Sequence, residues 1–190
     1  FLIQAFFIPS PSMEPTLHCA KPVANCEGNV SDRVIANRLA YRFRDPERGD
    51  IVVFAAPVAA HRCGLSDGGS AFVKRIIGLP GDNVVCCNPL GQITINGVPI
   101  DENSYIKVPG GETAASGDPF DVVVPAGSLW VLGDNRYRSK DSRYNTDQPG
   151  KGFVPIDNVV GRAFVITWPF DRFGLLDFQH EVFAGVPDIV

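Results

Sequence analysis

The sequence predicts an all-β fold, and three observations point there. Glycine (19) and proline (16) are plentiful among 190 residues, and no 12-residue stretch free of both shows sustained helical periodicity. Several short runs either alternate apolar with polar residues or are apolar throughout, the patterns of half-buried and fully buried strands. Asn96-Gly97, between two such runs, is a strong hairpin signal, because both central positions of a type I′ turn need positive φ.

Composition bounds the rest. A chain of this length can build one sizeable core, or one core with a small appendage. Hydrophobic residues make up 45% and charged residues 20%, which argues against disorder. With a net charge of -4 and a pI near 5.3, there is no general basic surface for nucleic acid.

Taken in order, residues 1–8 are strongly apolar but only about half the ~20 residues a spanning helix needs. They are read as the tail of a membrane anchor or as a buried first strand. The chain opens at Phe1 and its only methionine is Met13, so it is read as a piece of something longer. Residues 33–37 alternate. Residues 49–54 are nearly all apolar and read as a buried strand. Residues 72–77 form another, and the Pro80-Gly81-Asp82 turn leads into 83–86. Residues 92–95 and 98–100 flank the Asn96-Gly97 turn, and 121–124, 128–132 and 159–167 complete the set. Residues 55–71 and 107–119, rich in glycine, proline and small polar residues, read as surface loops.

The five cysteines suggest an oxidising compartment. Cys19 and Cys26 close a short loop and make a natural pair. Cys63 is then expected to join Cys86 or Cys87, since adjacent cysteines bond to each other only with strain. A zinc site drawn from His18, Cys19, Cys26, His61 and Cys63 is conceivable, but no Cys-x-x-Cys or His-x3-His spacing supports it.

Three segments carry chemistry. The first is Pro9-Ser10-Pro11-Ser12-Met13-Glu14-Pro15-Thr16-Leu17, and the second is Phe72-Val73-Lys74-Arg75-Ile76-Ile77-Gly78-Leu79-Pro80-Gly81-Asp82. The third runs from Gly133-Asp134-Asn135-Arg136 to Ser139-Lys140-Asp141-Ser142-Arg143. A serine hydroxyl is a weak nucleophile and must give its proton to a positioned base as it attacks. Lysine can be that base only when neutral, so burial must depress its pKa from about 10.4 by a few units. Lys74 sits among apolar residues, and alternation puts Phe72, Lys74 and Ile76 on one face and Val73, Arg75 and Ile77 on the other. One cation is expected to face inward and the other outward. Each segment alone has a plainer reading: Ser12 in a proline loop, Lys74 and Arg75 guarding a strand edge, and a polar turn in which Asp134, Asn135 and Ser142 are simply turn formers. His18 as the base of a triad with Ser12 is the weaker catalytic alternative.

Together and in this order, the three segments resemble type I signal peptidases. The resemblance implies a β-barrel-type catalytic core, shared with self-cleaving repressor proteases, interrupted by a small β subdomain. Residues 1–82 and 126–190 would form the core and 83–125 the insertion. It implies Ser12 as nucleophile, Lys74 as base, and Ser10 donating to the oxyanion hole. Ser139 would orient the lysine amine, and Asp141 with Arg143 would form an ion pair beneath the site. Pro11 stands where many members have glycine, and Lys140 is read as incidental and solvent-facing. Phe54, Phe72, Val73 and Val131 would line shallow pockets for small residues, or serve as plain core. The substrate would bind by strand addition.

The resemblance further implies no metal or organic cofactor. The partners would be signal-peptide-bearing pre-proteins, cut after Ala-x-Ala, and a lipid bilayer, with the enzyme a monomer. The catalytic region would lie on the extracytoplasmic face of a cell membrane, held by a single-pass or multi-pass anchor, and residues 1–8 become the anchor's tail. The aromatic and apolar residues at 168–170 and 173–176 suit a membrane interface or a tail closing over the core. No role is read for 177–190. The cysteines and spacing resemble high-GC Gram-positive members. Two rival readings remain, a cytosolic repressor-type Ser-Lys protease and a secreted, disulfide-stabilised β binding module.

Overall fold

In the computed structural model, residues 2–55, 71–148 and 150–189 are described. Twelve strands form two antiparallel sheets: β1 (Ile3–Phe7), β2 (Arg33–Asn37), β3 (Ile51–Ala55), β4 (Ala71–Gly78), β5 (Asn83–Cys86), β6 (Thr94–Ile95), β7 (Val98–Pro99), β8 (Phe120–Val123), β9 (Ser128–Leu132), β10 (Val154–Pro155), β11 (Val159–Trp168) and β12 (Gly174–Leu175). The larger sheet runs β1-β2-β11-β3-β4-β9-β10, with β12 added on β11, and the smaller runs β7-β6-β5-β8.

The all-β expectation holds, and each strand read from periodicity is present within a few residues of its expected bounds. The short strands β10 and β12 were not foreseen. Two residues carry too little pattern to be read, and only pairing with β9 and β11 makes them strands. Residues 3–7 form a strand paired along its whole length with β2, yet most of its side chains are exposed. Among the described residues, no helix is long and apolar enough to cross a membrane.

The link between the sheets is local. Gly81 in the 79–82 turn has φ +89, and its N–H donates to Val124 O at 2.8 Å, while Val124 N donates to Asp82 O at 2.9 Å. Arg48 grips Asp82 with two bonds, at 2.8 and 2.7 Å. Asn96 and Gly97 adopt φ of 52° and 79°, the two positive values that their turn requires.

Apolar side chains gather in three groups. One, around Ile77, Ile93, Ile95, Trp130 and Leu132, backs the small sheet. A second holds Met13, Leu17, Val34, Ile51 and Val53, and a third holds Val52, Phe54, Ile76 and Val131. Phe183 and Val186 of the C-terminal segment complete the first group. Asp188 at the same end pairs with Arg48 at 2.9 Å, so this segment straps the small sheet to the large one.

Cys19 pairs with Cys26, with Cα atoms 5.0 Å apart, within the normal span of a disulfide. The zinc alternative loses two of its ligands, since neither sulfur is a free thiolate. Cys86 is bonded to its neighbour Cys87, not to Cys63 as expected. Cys63 and His61 lie outside the described residues.

Candidate active site

The serine segment is a single 3-10 turn, Pro11–Met13, entered from an extended Ser10 (φ -132, ψ 154). Proline suits the first helical position, where its missing N–H is not needed and its φ is already helical. Ser12 follows at the second position, where a backbone N–H has no acceptor within the turn. Glu14 N donates to Pro11 O at 3.1 Å and Leu17 N to Met13 O at 2.8 Å, which locks the segment. Ser10 Oγ lies 3.2 Å from Ser12 Oγ.

Lys74 comes from the middle of β4, between β3 and β9. Its Nζ donates to Ser12 Oγ at 2.8 Å and to Val73 O at 2.9 Å. The side chain is buried, and burial pulls its pKa down to about 8, against the pull of Asp141 and Asp134, whose charges favour the ammonium. A substantial neutral fraction near pH 8 follows, as a base requires.

Arg75 does not face outward. It is fully buried and binds Asp134 through two bonds, Nε to Oδ1 at 2.9 Å and Nη2 to Oδ2 at 2.8 Å. Alternation correctly puts it opposite Lys74. However, the side chains of Lys74 and Arg75 are both buried, so neither the outward reading nor the edge-guard reading survives. Asp134, read as a turn former, accepts from Thr16 Oγ1 at 2.5 Å as well. It thereby ties β4 to the serine segment.

The third segment wraps the same point. Asn135 N donates to Ser12 O at 3.1 Å. Asp141 and Arg143 form the expected ion pair, Nη2 to Oδ2 at 2.7 Å and Nε to Oδ1 at 2.8 Å, and Asp141 Oδ2 also accepts from Gly133 N at 3.0 Å. Ser142 Oγ accepts from Val131 N at 3.0 Å, and Lys140 is exposed. Ser139 is buried against Gly133, but its Oγ has no hydrogen-bond partner among the described residues, so the expected contact with the lysine amine is not made here. The His18 alternative fails on geometry, since His18 Nδ1 bonds to Glu14 Oε2, away from Ser12 Oγ.

Of the four expected pocket residues, Phe54, Phe72 and Val131 share one cluster, the two phenylalanine rings lying 6.0 Å apart. Val73 points to the opposite face, against the group that holds Met13 and Leu17. Sequence reasoning missed three participants. Asp134 and Thr16 lie within the quoted motifs, but only the fold brings them together. Glu14 is fully buried beneath the serine turn, and nothing in its neighbours signals that.

A serine hydroxyl held against a buried lysine on a β scaffold is the geometry that a serine hydrolase with a lysine base requires. Comparison with known proteins is consistent with that chemistry. Residues 1–168 match the family described as signal peptidase, peptidase S26. The chain is 45% identical over 181 residues to a Synechocystis sp. protein named Probable signal peptidase I-2, covering 95% of this chain and 70% of that one. It is 40% identical to signal peptidase I of Leptolyngbya laminosa, covering 93% and 74%. It is 34% identical to a Mycobacterium leprae protein named Probable signal peptidase I, covering 92% and 71%. This chain belongs to the signal peptidase family. The Synechocystis and Leptolyngbya proteins exceed the Mycobacterium leprae one in identity to this chain.

Proposed function

We propose that this chain is the catalytic part of a type I signal peptidase, a serine endopeptidase that removes signal peptides from exported pre-proteins. The observation that carries the reading is the 2.8 Å contact between Ser12 Oγ and Lys74 Nζ, with the amine buried. Ser12 attacks the carbonyl before the cut as its proton passes to neutral Lys74. The resulting ammonium protonates the leaving amine, and Lys74 then takes a proton from the water that releases the acyl-enzyme. Ser10 Oγ and the Ser12 N–H supply the oxyanion donors, a contribution usually worth a few kcal/mol. Asp141 and Arg143 hold the loop behind Ser12.

The substrate binds as an added strand. Among the described residues, β1 has a free edge that runs directly into Ile8, Pro9 and Ser10, and residues 71–74 of β4 pair on the β3 side only, because β9 joins at Arg75. Phe54, Phe72 and Val131 lie on the face of β4 that carries Lys74 and fit the pocket role, whereas Val73 fits it less well.

The bilayer reading rests on an exposed apolar face. Ala5, Ile35, Val165 and Leu175 form one row across β1, β2, β11 and β12, and Phe7, Arg33 and Trp168 form the next. Phe7, Trp168, Phe170, Phe173 and Leu175 are all exposed, and clustered exposed apolar side chains mark membrane or partner contacts. This face lies against the outer leaflet of the cell membrane, with the catalytic sheet extracytoplasmic and the protein a monomer. The small sheet is a reduced cap, residues 83–125 being an insertion between the two halves of the core.

The deciding experiment is cleavage of a purified pre-protein with Ala-x-Ala before its mature start, by the chain and its Ser12→Ala variant, in detergent with lipid. A correctly placed cut that vanishes in the variant supports the reading. A cut of equal rate in both removes it.

A further inference from the structure

Glu14 stands two residues after the nucleophile and is fully buried, a costly place for a carboxylate unless its bonds are satisfied. Its Oε1 accepts from Cys19 N and from Glu27 N, both at 3.0 Å. Those two N–H groups stand at the two ends of the ring closed by the Cys19–Cys26 disulfide, Glu27 being the residue after Cys26. Its Oε2 takes His18 Nδ1, and His18 N in turn donates to Asp32 Oδ2 at 2.8 Å. One carboxylate therefore gathers both mouths of the disulfide ring under the serine turn.

The ring continues to the other side of the site. The Glu27 carboxylate pairs with Lys107. Lys107 N donates to Asp134 O at 2.8 Å, and Arg136 N donates to Lys107 O at 3.1 Å. Between them, Asn135 N donates to Ser12 O at 3.1 Å. The path from Ser12 through Glu14, Glu27, Lys107 and Asn135 returns to Ser12, a closed circuit around the nucleophile.

We infer that Glu14 is a positioning residue for the Ser12 attack, acting through the disulfide ring. It touches no reacting atom. It holds the backbone that aims Ser12 Oγ at Lys74 Nζ, and small misplacements of a reacting group reduce turnover by about 100-fold per ångström. This rests on the signal peptidase reading, and the test separates the two.

The test measures kcat and KM for a pre-protein bearing Ala-x-Ala with the full chain and its variants Glu14→Leu, Glu14→Gln, Cys19→Ser/Cys26→Ser and the triple change. Glu14→Leu should lower kcat by about 10- to 30-fold, with KM within about twofold and the acid limb of the pH profile unmoved. Glu14→Gln should recover to within about threefold of the parent, since its amide oxygen still accepts the two N–H groups. The triple change should lose no more than the larger of its two components, because both break one circuit. Parental kcat in folded Glu14→Leu overturns the inference, and so do equal losses for Leu and Gln or a multiplied loss in the triple change. Should Glu14→Leu fail to fold, Lys107→Met opens the same circuit at an exposed link. A loss of about 2- to 5-fold in kcat alone is then expected, and none overturns the inference. A parent protein that makes no Ser12-dependent cut sinks the peptidase reading itself, whatever Glu14 does.

Discussion

Lys74 and Arg75 are neighbours on β4 and both are buried, yet only Arg75 has a carboxylate in contact, Asp134 at 2.8 Å. Among the described residues, Lys74 has two oxygens instead, a serine hydroxyl and a backbone carbonyl, and neither carries charge. A paired guanidinium stays ionised at any working pH, whereas an unpaired buried ammonium gives up its proton readily. The same strand thus supplies a permanent structural cation and a titratable base.

The rate should follow that base. With Lys74 near pKa 8, kcat/KM is expected to rise with pH, bend near 8 and level off above it. Lys74→Met and Ser12→Ala should each remove detectable cleavage over the whole range. The check is a pH–rate profile on a pre-protein, and a profile flat from pH 6 to 10 would contradict the assignment.

Stability should carry the cost of the same shift. A lysine whose folded pKa is depressed from 10.5 to about 8 opposes folding fully below pH 8, and the penalty fades as pH rises through 10.5. At pH 7 that penalty is roughly 3 kcal/mol, about 1.4 kcal/mol per unit. Lys74→Met should therefore be folded and inactive, and more stable than the parent at pH 7 by about 1–3 kcal/mol, less at pH 10. Urea melts at the two pH values test both sign and trend.

Asp141 favours the Lys74 ammonium, so its charge opposes the neutral base. Asp141→Asn removes that charge and leaves Arg143 without its partner, and both changes push the Lys74 pKa down. The acid limb should shift to lower pH, while kcat at its plateau falls because Gly133 N and Arg143 lose a charged acceptor. An acid limb moving upward would show that another group sets it.

Gly133 has no room for a side chain. A Cβ there would overlap Ser139 Oγ and Ser12 O. Gly133→Ala should lower kcat by about 10-fold or more, with little change in KM, by displacing the serine turn. Kinetics on the folded variant would reveal whether the close approach matters.

The C-terminal strap should contribute stability but no chemistry. Ending the chain after residue 176 removes Phe183 and Val186 from the small-sheet core, the Asp188 contact with Arg48, and Asp177 O, which accepts from Arg75 Nη1 at 3.3 Å. Two buried apolar side chains alone are worth about 3–6 kcal/mol. The truncated chain should melt well below the parent and keep the pH dependence of any remaining activity, as thermal melts and a pH–rate profile would show.

Much of this protein was legible in its sequence, because its signals are local. Alternation and Asn96-Gly97 marked strands and a turn through backbone sterics that neighbouring residues settle among themselves. Ser12, Lys74, Asp141 and Arg143 were legible as motif spacing, and Cys19 with Cys26 as a short loop. Arg75 was misplaced because period-2 alternation says which face a side chain takes but not whether that face is covered. Only packing against apolar groups on both sides of β4 made both faces interior, and only the fold set Asp134 beneath the guanidinium. Val73 takes the face opposite Lys74, as alternation itself said. The Cys86–Cys87 bond was misread as well.

By itself the sequence determined the strands, the motifs that carry Ser12 and Lys74, and the pairing of Cys19 with Cys26. The tertiary structure decided which lysine neighbour is buried with a partner, where the Ser139 hydroxyl sits, and that Glu14 clasps a disulfide ring beneath the nucleophile. These depend on desolvation and on contacts between residues far apart in the chain, such as Ser12 with Lys74, 62 positions on. Such contacts leave no periodicity in the sequence, because burial is a property of the packed chain.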